Sequence, residues 1–157
     1  MDSVILKEWL ADLAAKQPTP GGGGVAALHA ATAAALLGMV TIYTTGAKWA
    51  DREAEMKKLH EEVAELRHQA LDLIDADAQA FAGVGEAYKL PKATYDEKQI
   101  RTEAIQKALI AAAEPPCQVV KLTTRLVEIA QKIAKTGNPN VISDVAVAAH
   151  TAQAALQ

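Results

Sequence analysis

The chain has 157 residues and a net charge of −3; half of the residues are hydrophobic, and only two Trp, three Tyr and one Phe are aromatic. That length suits one domain with a sizeable core, and alanine with few aromatics favours close-packed helices over a β-sandwich. The charge argues against a nucleic-acid surface, which needs a clustered positive field, and the lone Cys117 excludes an internal disulfide.

No secretory pattern opens the chain, so a soluble cytoplasmic protein is the expectation. Asp2 or Ser3 is placed to cap a first helix whose apolar positions Ile5, Leu6, Trp9, Leu10 and Leu13 follow helical spacing. Pro18 and Pro20 end it. Four glycines follow, Gly21, Gly22, Gly23 and Gly24, which permit positive φ and a close approach to main-chain N–H groups. They open onto a charge-free run through Tyr43 built mostly from alanine. A helix that is apolar all round has no solvent face, so this run reads as a buried hub with a glycine nest at its N-terminus. Such a terminus suits anionic or electron-rich ligand atoms. The 20 uncharged residues from Gly24 to Tyr43 reach the length of a membrane span. Alanine contributes little transfer energy, however, and there is no second such segment or flanking basic cluster, so no membrane association is expected.

Gly46 to Ala50 connects to a third helix from about Asp51, in which Met56, Leu59, Val63, Leu66, Ala70 and Leu73 form a heptad seam. The next seam position is Asp77. At about 100° per residue it projects into the apolar stripe, whereas Asp72 and Asp75 project away. A carboxylate there is costly unless paired, hydrogen-bonded or functional. Gly83 and Gly85 weaken this helix, and Leu90-Pro91 stops it.

Thr94 and Glu97 form a capping box for a fourth helix with its apolar arc on Ile100, Ala104, Ile105, Ala108, Ala111 and Ala112. Arg101 falls inside the arc; it either snorkels or reaches inward to a carboxylate. Pro115 and Pro116 are expected to break the chain before a fifth helix carrying Val119, Leu122, Leu126, Ile129 and Ile133. Lys132, Lys135 and Gly137 mark its end. Asn138 before Pro139 is a helix-start pattern, and Val141, Val145, Ala148, Ala152 and Leu156 stripe the last helix. Asp144, at the edge of that stripe, is either a first-turn acid favoured by the helix dipole or a site residue.

The expected fold is therefore all-α: a single-domain bundle of about six helices around a buried alanine-rich central helix. Glu65 and His68 have the spacing of half a di-iron motif, but there is no second copy and both project away from the seam. His29 reads as a satisfied core or pocket histidine. With one cysteine and four scattered histidines no metal site is expected, and no nucleophilic triad stands out. Asp77, Asp144, Arg101, Asn138 and the glycines remain. Acids at semi-buried positions beside a glycine-lined pocket suit metal-free proton transfer.

These same residues resemble the cyclodeaminase domain of formiminotransferase-cyclodeaminases and the stand-alone methenyltetrahydrofolate cyclohydrolases. The resemblance is carried by Pro-Thr-Pro-Gly-Gly-Gly at 18–23 with its alanine-rich helix, Asp-Ala-Asp-Ala-Gln-Ala-Phe at 75–81, Leu-Pro-Lys at 90–92, Arg101, Gly137-Asn138 and Ser-Asp-Val-Ala-Val-Ala-Ala at 143–149. It implies a helical bundle, usually a homodimer, acting on reduced folate without metal or nucleotide cofactor. Asp77 corresponds to the family's catalytic aspartate. The expected site is one cleft with Asp77 and Asp144 as acid-base groups and Gly21, Gly22, Gly23, Gly24, Lys92, Arg101, Asn138 and Ser143 as substrate contacts. In it, Lys92 faces the glutamate end of the folate. Nothing in the motifs separates cyclodeaminase from cyclohydrolase, and a catalytically inactive assembly module of the same fold is the alternative. Gly24 stands where the family commonly has serine, and the chain stops at Gln157 where the family continues into another helical stretch.

Overall fold

The structure, a computed structural model, describes residues 6–157. The expected cap at Asp2 or Ser3, and Ile5, lie outside the described residues. Five α-helices follow one another: α1 (Leu6–Leu13), α2 (Gly22–Ile42), α3 (Glu53–Lys89), α4 (Tyr95–Thr136) and α5 (Ile142–Ala155). Two 3-10 turns, Ala47–Trp49 and Pro139–Val141, lie in the connections, and no strand occurs among the described residues. The sequence expectation of an all-α fold holds.

The hub is α2, packed against α3, α4 and α5. Ala27, Ala30, Ala33 and Val40 are fully buried, and the seam residues Met56, Leu59, Val63, Ala70 and Leu73 lie buried against them. Gly38 explains the close approach of the two helices, since a β-carbon there would already touch the Val63 side chain at 3.5 Å. Residues 23 and 77, and 38 and 63, face each other, so α3 runs antiparallel to α2. By length and composition α2 could cross a membrane, but half of its most apolar stretch is packed inside this fold.

Two expectations need correction. The helix count is five because α4 runs through Pro115 and Pro116 without a break. The prolines remove two amide donors, but the carbonyls that lose them belong to Ala111 and Ala112, the first exposed and the second only half-buried, so water can reach them. Continuous burial of Pro115, Val119, Leu122, Leu126, Ile129 and Ile133 along the bundle outweighs the local cost. Nor is the hub enclosed on all sides. Thr32, Ala35, Ile42 and Tyr43 are exposed, and Val25, Leu28, His29, Leu36 and Met39 between them are half-buried. The His29 Nδ1 is buried with no hydrogen-bond partner, so this histidine is not the satisfied one expected.

The capping box of α4 forms as the spacing predicts: the Glu97 amide donates to Thr94 Oγ1 at 3.2 Å, and the Thr94 amide to Glu97 Oε2 at 3.0 Å. At the far end Gly137 caps α4 with extended backbone, because any β-carbon there would meet the Ile133 carbonyl at 2.7 Å. Across the outer face of the bundle Arg125 of α4 pairs with Glu62 of α3, which holds the Glu62 carboxyl below the usual range.

Candidate functional site

Asp77 stands where the α3 seam reaches the N-terminus of α2. A β-carbon built on Gly23 would fall on the Asp77 carboxyl group, 2.7 Å from Oδ2 and nearer still to Oδ1. The carboxyl thus occupies the space that a side chain at position 23 would take. The Gly24 amide, one of the free donors of the first turn, donates to it. Burial pushes the Asp77 carboxyl above its ordinary value of 3.8, and the Gly24 N–H restrains that rise by favouring the anion. A carboxyl so placed binds its proton more tightly than a free one, the direction in which general acid-base chemistry needs it moved.

The glycines serve here by close approach. None of the four has positive φ, and the N-cap Gly21 is extended with φ −139. Gly24 is buried against Trp9 and Ile74, at 3.6 and 3.8 Å from where a β-carbon would sit, ordinary contact distances. A side chain on Gly21 or Gly22 would meet nothing within 4 Å, so these two border open space.

A pH test follows from the burial of Asp77. Because its folded carboxyl titrates above 3.8, the folded state keeps a proton that the unfolded chain has released. Stability from this group is full below the unfolded value and is lost as pH rises through the folded one. The unfolding midpoint of Asp77→Asn, relative to that of the parent chain, should therefore climb across that window and level off above it. A difference that does not vary with pH would show that the carboxyl is not desolvated.

The other expected site residues do not converge on this point within one chain. Asn138 is held at the opposite end of α2: its amide donates to Thr44 Oγ1 at 3.0 Å and its Nδ2 to the Tyr43 carbonyl at 2.9 Å. Its Oδ1 accepts from Asn140 and caps the Pro139–Val141 turn. Ser143 is exposed and Asp144 half-buried in the first turn of α5, close after that turn. The 21 residues of α2 span ~31 Å, which separates these groups from Gly23 and Asp77. The single-cleft expectation therefore fails within one copy.

Arg101 is corrected too. Its Nε and Nη2 donate to the Tyr88 carbonyl at 3.3 and 3.2 Å, and the guanidinium stacks 5.3 Å from the Tyr88 ring. It serves as a cation at the C-terminus of α3 and does not reach Asp77, which lies eleven residues, ~16 Å, back along that helix. Lys92 is exposed in the loop just beyond. Glu65 and His68 are exposed, as expected.

Sequence reasoning passed over a groove of ≈ 460 Å³ between α2 and α3, lined by Gly38, Met39, Ile42, Tyr43, His60 and Arg67. His60 closes its floor with Nδ1 at 3.0 Å from Thr41 Oγ1. The signal was present in the position of His60 beside the seam residue Leu59, opposite a hub glycine.

Comparison with known proteins gives a consistent result. The profile of the formiminotransferase-cyclodeaminase family matches residues 5–157. The methenyltetrahydrofolate cyclohydrolase of Methylorubrum extorquens is 40% identical over 153 residues, covering 97% of this chain and 74% of that protein. The formimidoyltransferase-cyclodeaminase of Rattus norvegicus is 37% identical over 145 residues, 92% of this chain but 27% of that protein. A crystal structure of formiminotetrahydrofolate cyclodeaminase from Thermotoga maritima superposes with a TM-score of 0.85 at 35% identity, over 98% of this chain and 73% of that one.

Proposed function

Since the chain belongs to the formiminotransferase-cyclodeaminase family, we propose that it is an enzyme of folate one-carbon metabolism, closing 5-formiminotetrahydrofolate or opening 5,10-methenyltetrahydrofolate. The observation that supports a catalytic site here is the Asp77 carboxyl, lodged against Gly23 and bound by the Gly24 amide, with its affinity for protons raised.

Both reactions pass through a tetrahedral carbon between N5 and N10, and both turn on one mobile proton. In the closing direction N10 attacks the carbon of the protonated formimino group, Asp77 carries the N10 proton to the former imino nitrogen, and that nitrogen leaves as ammonia as the methenyl cation forms. In the opening direction Asp77 takes one proton of the attacking water and returns it to N5 as the C–N5 bond breaks, while the remaining hydroxyl proton is released to solvent as the formyl C=O forms, leaving 10-formyltetrahydrofolate. The role assigned to Asp77 is the same in each, a carboxyl that passes one proton between the attacking and the leaving atoms. A side-chain carboxyl is sufficient for these transfers, so no metal or further cofactor is assigned. Gly21 and Gly22 line the approach to it.

We further propose a cytoplasmic homodimer with neither nucleic acid nor membrane as partner. The net charge of −3 and the exposed apolar stripe of α2 support this reading. The test is the absorbance of the methenyl chromophore with each folate offered in turn. Appearance of the band from the formimino compound, or its loss from the methenyl compound, is the expected result. No change with either, together with no binding of reduced folate, would overturn the proposal.

A further inference from the structure

The first turn of α2 has little of its own to hold it, yet it carries the donor to Asp77. Its N-cap, Gly21, offers no side-chain acceptor, and Gly22, Gly23 and Gly24 give up more backbone freedom on ordering than other residues would. A backbone bond from the Val25 amide to the Gly21 carbonyl at 3.0 Å closes the turn. Gly21 and Gly22 border open space, whereas Gly24 is buried. Gly24 is also the glycine whose N–H donates to the Asp77 carboxyl.

Gly24 packs against two side chains, the ring of Trp9 through Cζ2 and Ile74 through Cγ2, 3.6 and 3.8 Å from the place of a β-carbon. Ile74 belongs to α3, three residues before Asp77, and is fixed there by the main core. Trp9 comes from α1, of which it is the one buried side chain, while Leu6 and Leu10 are 50% and 47% exposed. That helix lies along none of the others, and the hydrogen bonds described for residues 6–17 all stay within that stretch. Beyond the half-buried Leu13, its hold on the bundle is the indole beside Gly24.

We propose that Trp9 is a positioning residue of the Asp77 site: its ring, carried on α1, clamps the glycine turn so that the Gly24 N–H stays on the Asp77 carboxyl. The proposal rests on the folate reading for what the carboxyl acts upon, but the clamp itself does not.

The need for a ring follows from the contact. Gly24 has no side chain of its own to pack with, and a broad flat group covers its backbone at van der Waals distance, where dispersion is greatest. With the ring removed, the glycines regain their freedom, the turn frays, and the N–H leaves the carboxyl. Asp77 then keeps its burial without its donor. It can still take up a proton, but neither its direction nor the charge left when the proton departs is fixed by the protein. Charges elsewhere do not replace the donor: Lys7, Glu8 and Asp12 of α1 are exposed, and α2 carries no charge from Gly22 to Ile42.

Two measurements test the clamp and its use separately. Followed by NMR in the parent chain, the Gly24 amide proton should move to lower field as the Asp77 carboxyl ionises, because the bond shortens when its acceptor is charged. Asp77→Asn should abolish that movement, which assigns it. In Trp9→Ala most of the movement should be lost, and kcat should fall roughly tenfold with KM little changed, the worth of one hydrogen bond to a charged group. Trp9→Phe, which keeps a ring beside Gly24, should restore most of both. A merely structural Trp9 would lower the unfolding midpoint and leave the Gly24 titration as in the parent, which would overturn the proposal. A rise in KM at unchanged kcat would overturn it too, since that marks a ring that touches substrate. If Trp9→Ala does not fold, Trp9→Leu should show the same two changes in smaller measure, and parental behaviour in it would overturn the proposal equally. The Gly24 signal needs no folate, so a parent inactive on both folates would remove the proposed function while the clamp would still be decided.

Discussion

Asp77→Asn is expected to fold as the parent does and to lower turnover by about a hundredfold or more, the contribution general acid-base groups make. Asparagine keeps the shape of the side chain and can still accept from the Gly24 amide through its oxygen, so the packing against Gly23 survives. It has no exchangeable acid proton to deliver or receive. At neutral pH the variant should be at least as stable as the parent, because a carboxyl whose ionisation burial disfavours has been replaced by a neutral group with the same hydrogen bond. The measurements are turnover by the methenyl absorbance and unfolding by circular dichroism. A folded variant with unchanged turnover would remove Asp77 from the chemistry.

Asp77 was legible before any coordinates because one heptad seam, Met56 to Leu73, predicts an apolar residue at 77 and the chain has a carboxylate there. The capping box and the ends of α3 were legible for the same reason, since a local pattern carries the local structure. What escaped depends on contacts between distant segments. The glycines stood out, but positive φ and close approach leave the same mark on a sequence, and only the position of Asp77 against Gly23 separates them. The prolines of α4 read as a break because their cost is local, while the burial that outweighs it is spread along α3 and α2. An absence of charge in α2 made enclosure on every side look necessary, whereas an uncovered apolar face satisfies the same pattern when another molecule covers it. Asn138 and Asp144 were rightly singled out as polar groups in unusual places, but the length of the hub helix keeps them from Asp77 in one chain.

Gly23→Ala should cost nearly as much activity as Asp77→Asn while barely moving stability. The added methyl would overlap the Asp77 carboxyl, and either α2 and α3 part or the carboxyl turns aside. Parting the helices would disturb the packing of Gly24 against Trp9 and Ile74 and the seam beneath. Turning the carboxyl takes only a rotation of a side-chain end, so the carboxyl gives way. Its contact with the Gly24 amide is then lost, and alanine in the helix returns roughly 0.5–1 kcal/mol relative to glycine. The unfolding midpoint should stay near that of the parent. Turnover should fall because the proton-bearing group is out of place, and a fall in kcat exceeding any rise in KM would mark displacement of that group rather than a blocked approach. Gly24→Ala is the matched control. Its methyl meets Trp9 and Ile74 at ordinary distances of 3.6 and 3.8 Å, so it should keep activity and gain a few tenths of a kcal/mol. Full turnover in Gly23→Ala would mean that the carboxyl does not work from its place against the α2 N-terminus, and the catalytic assignment would fail with it.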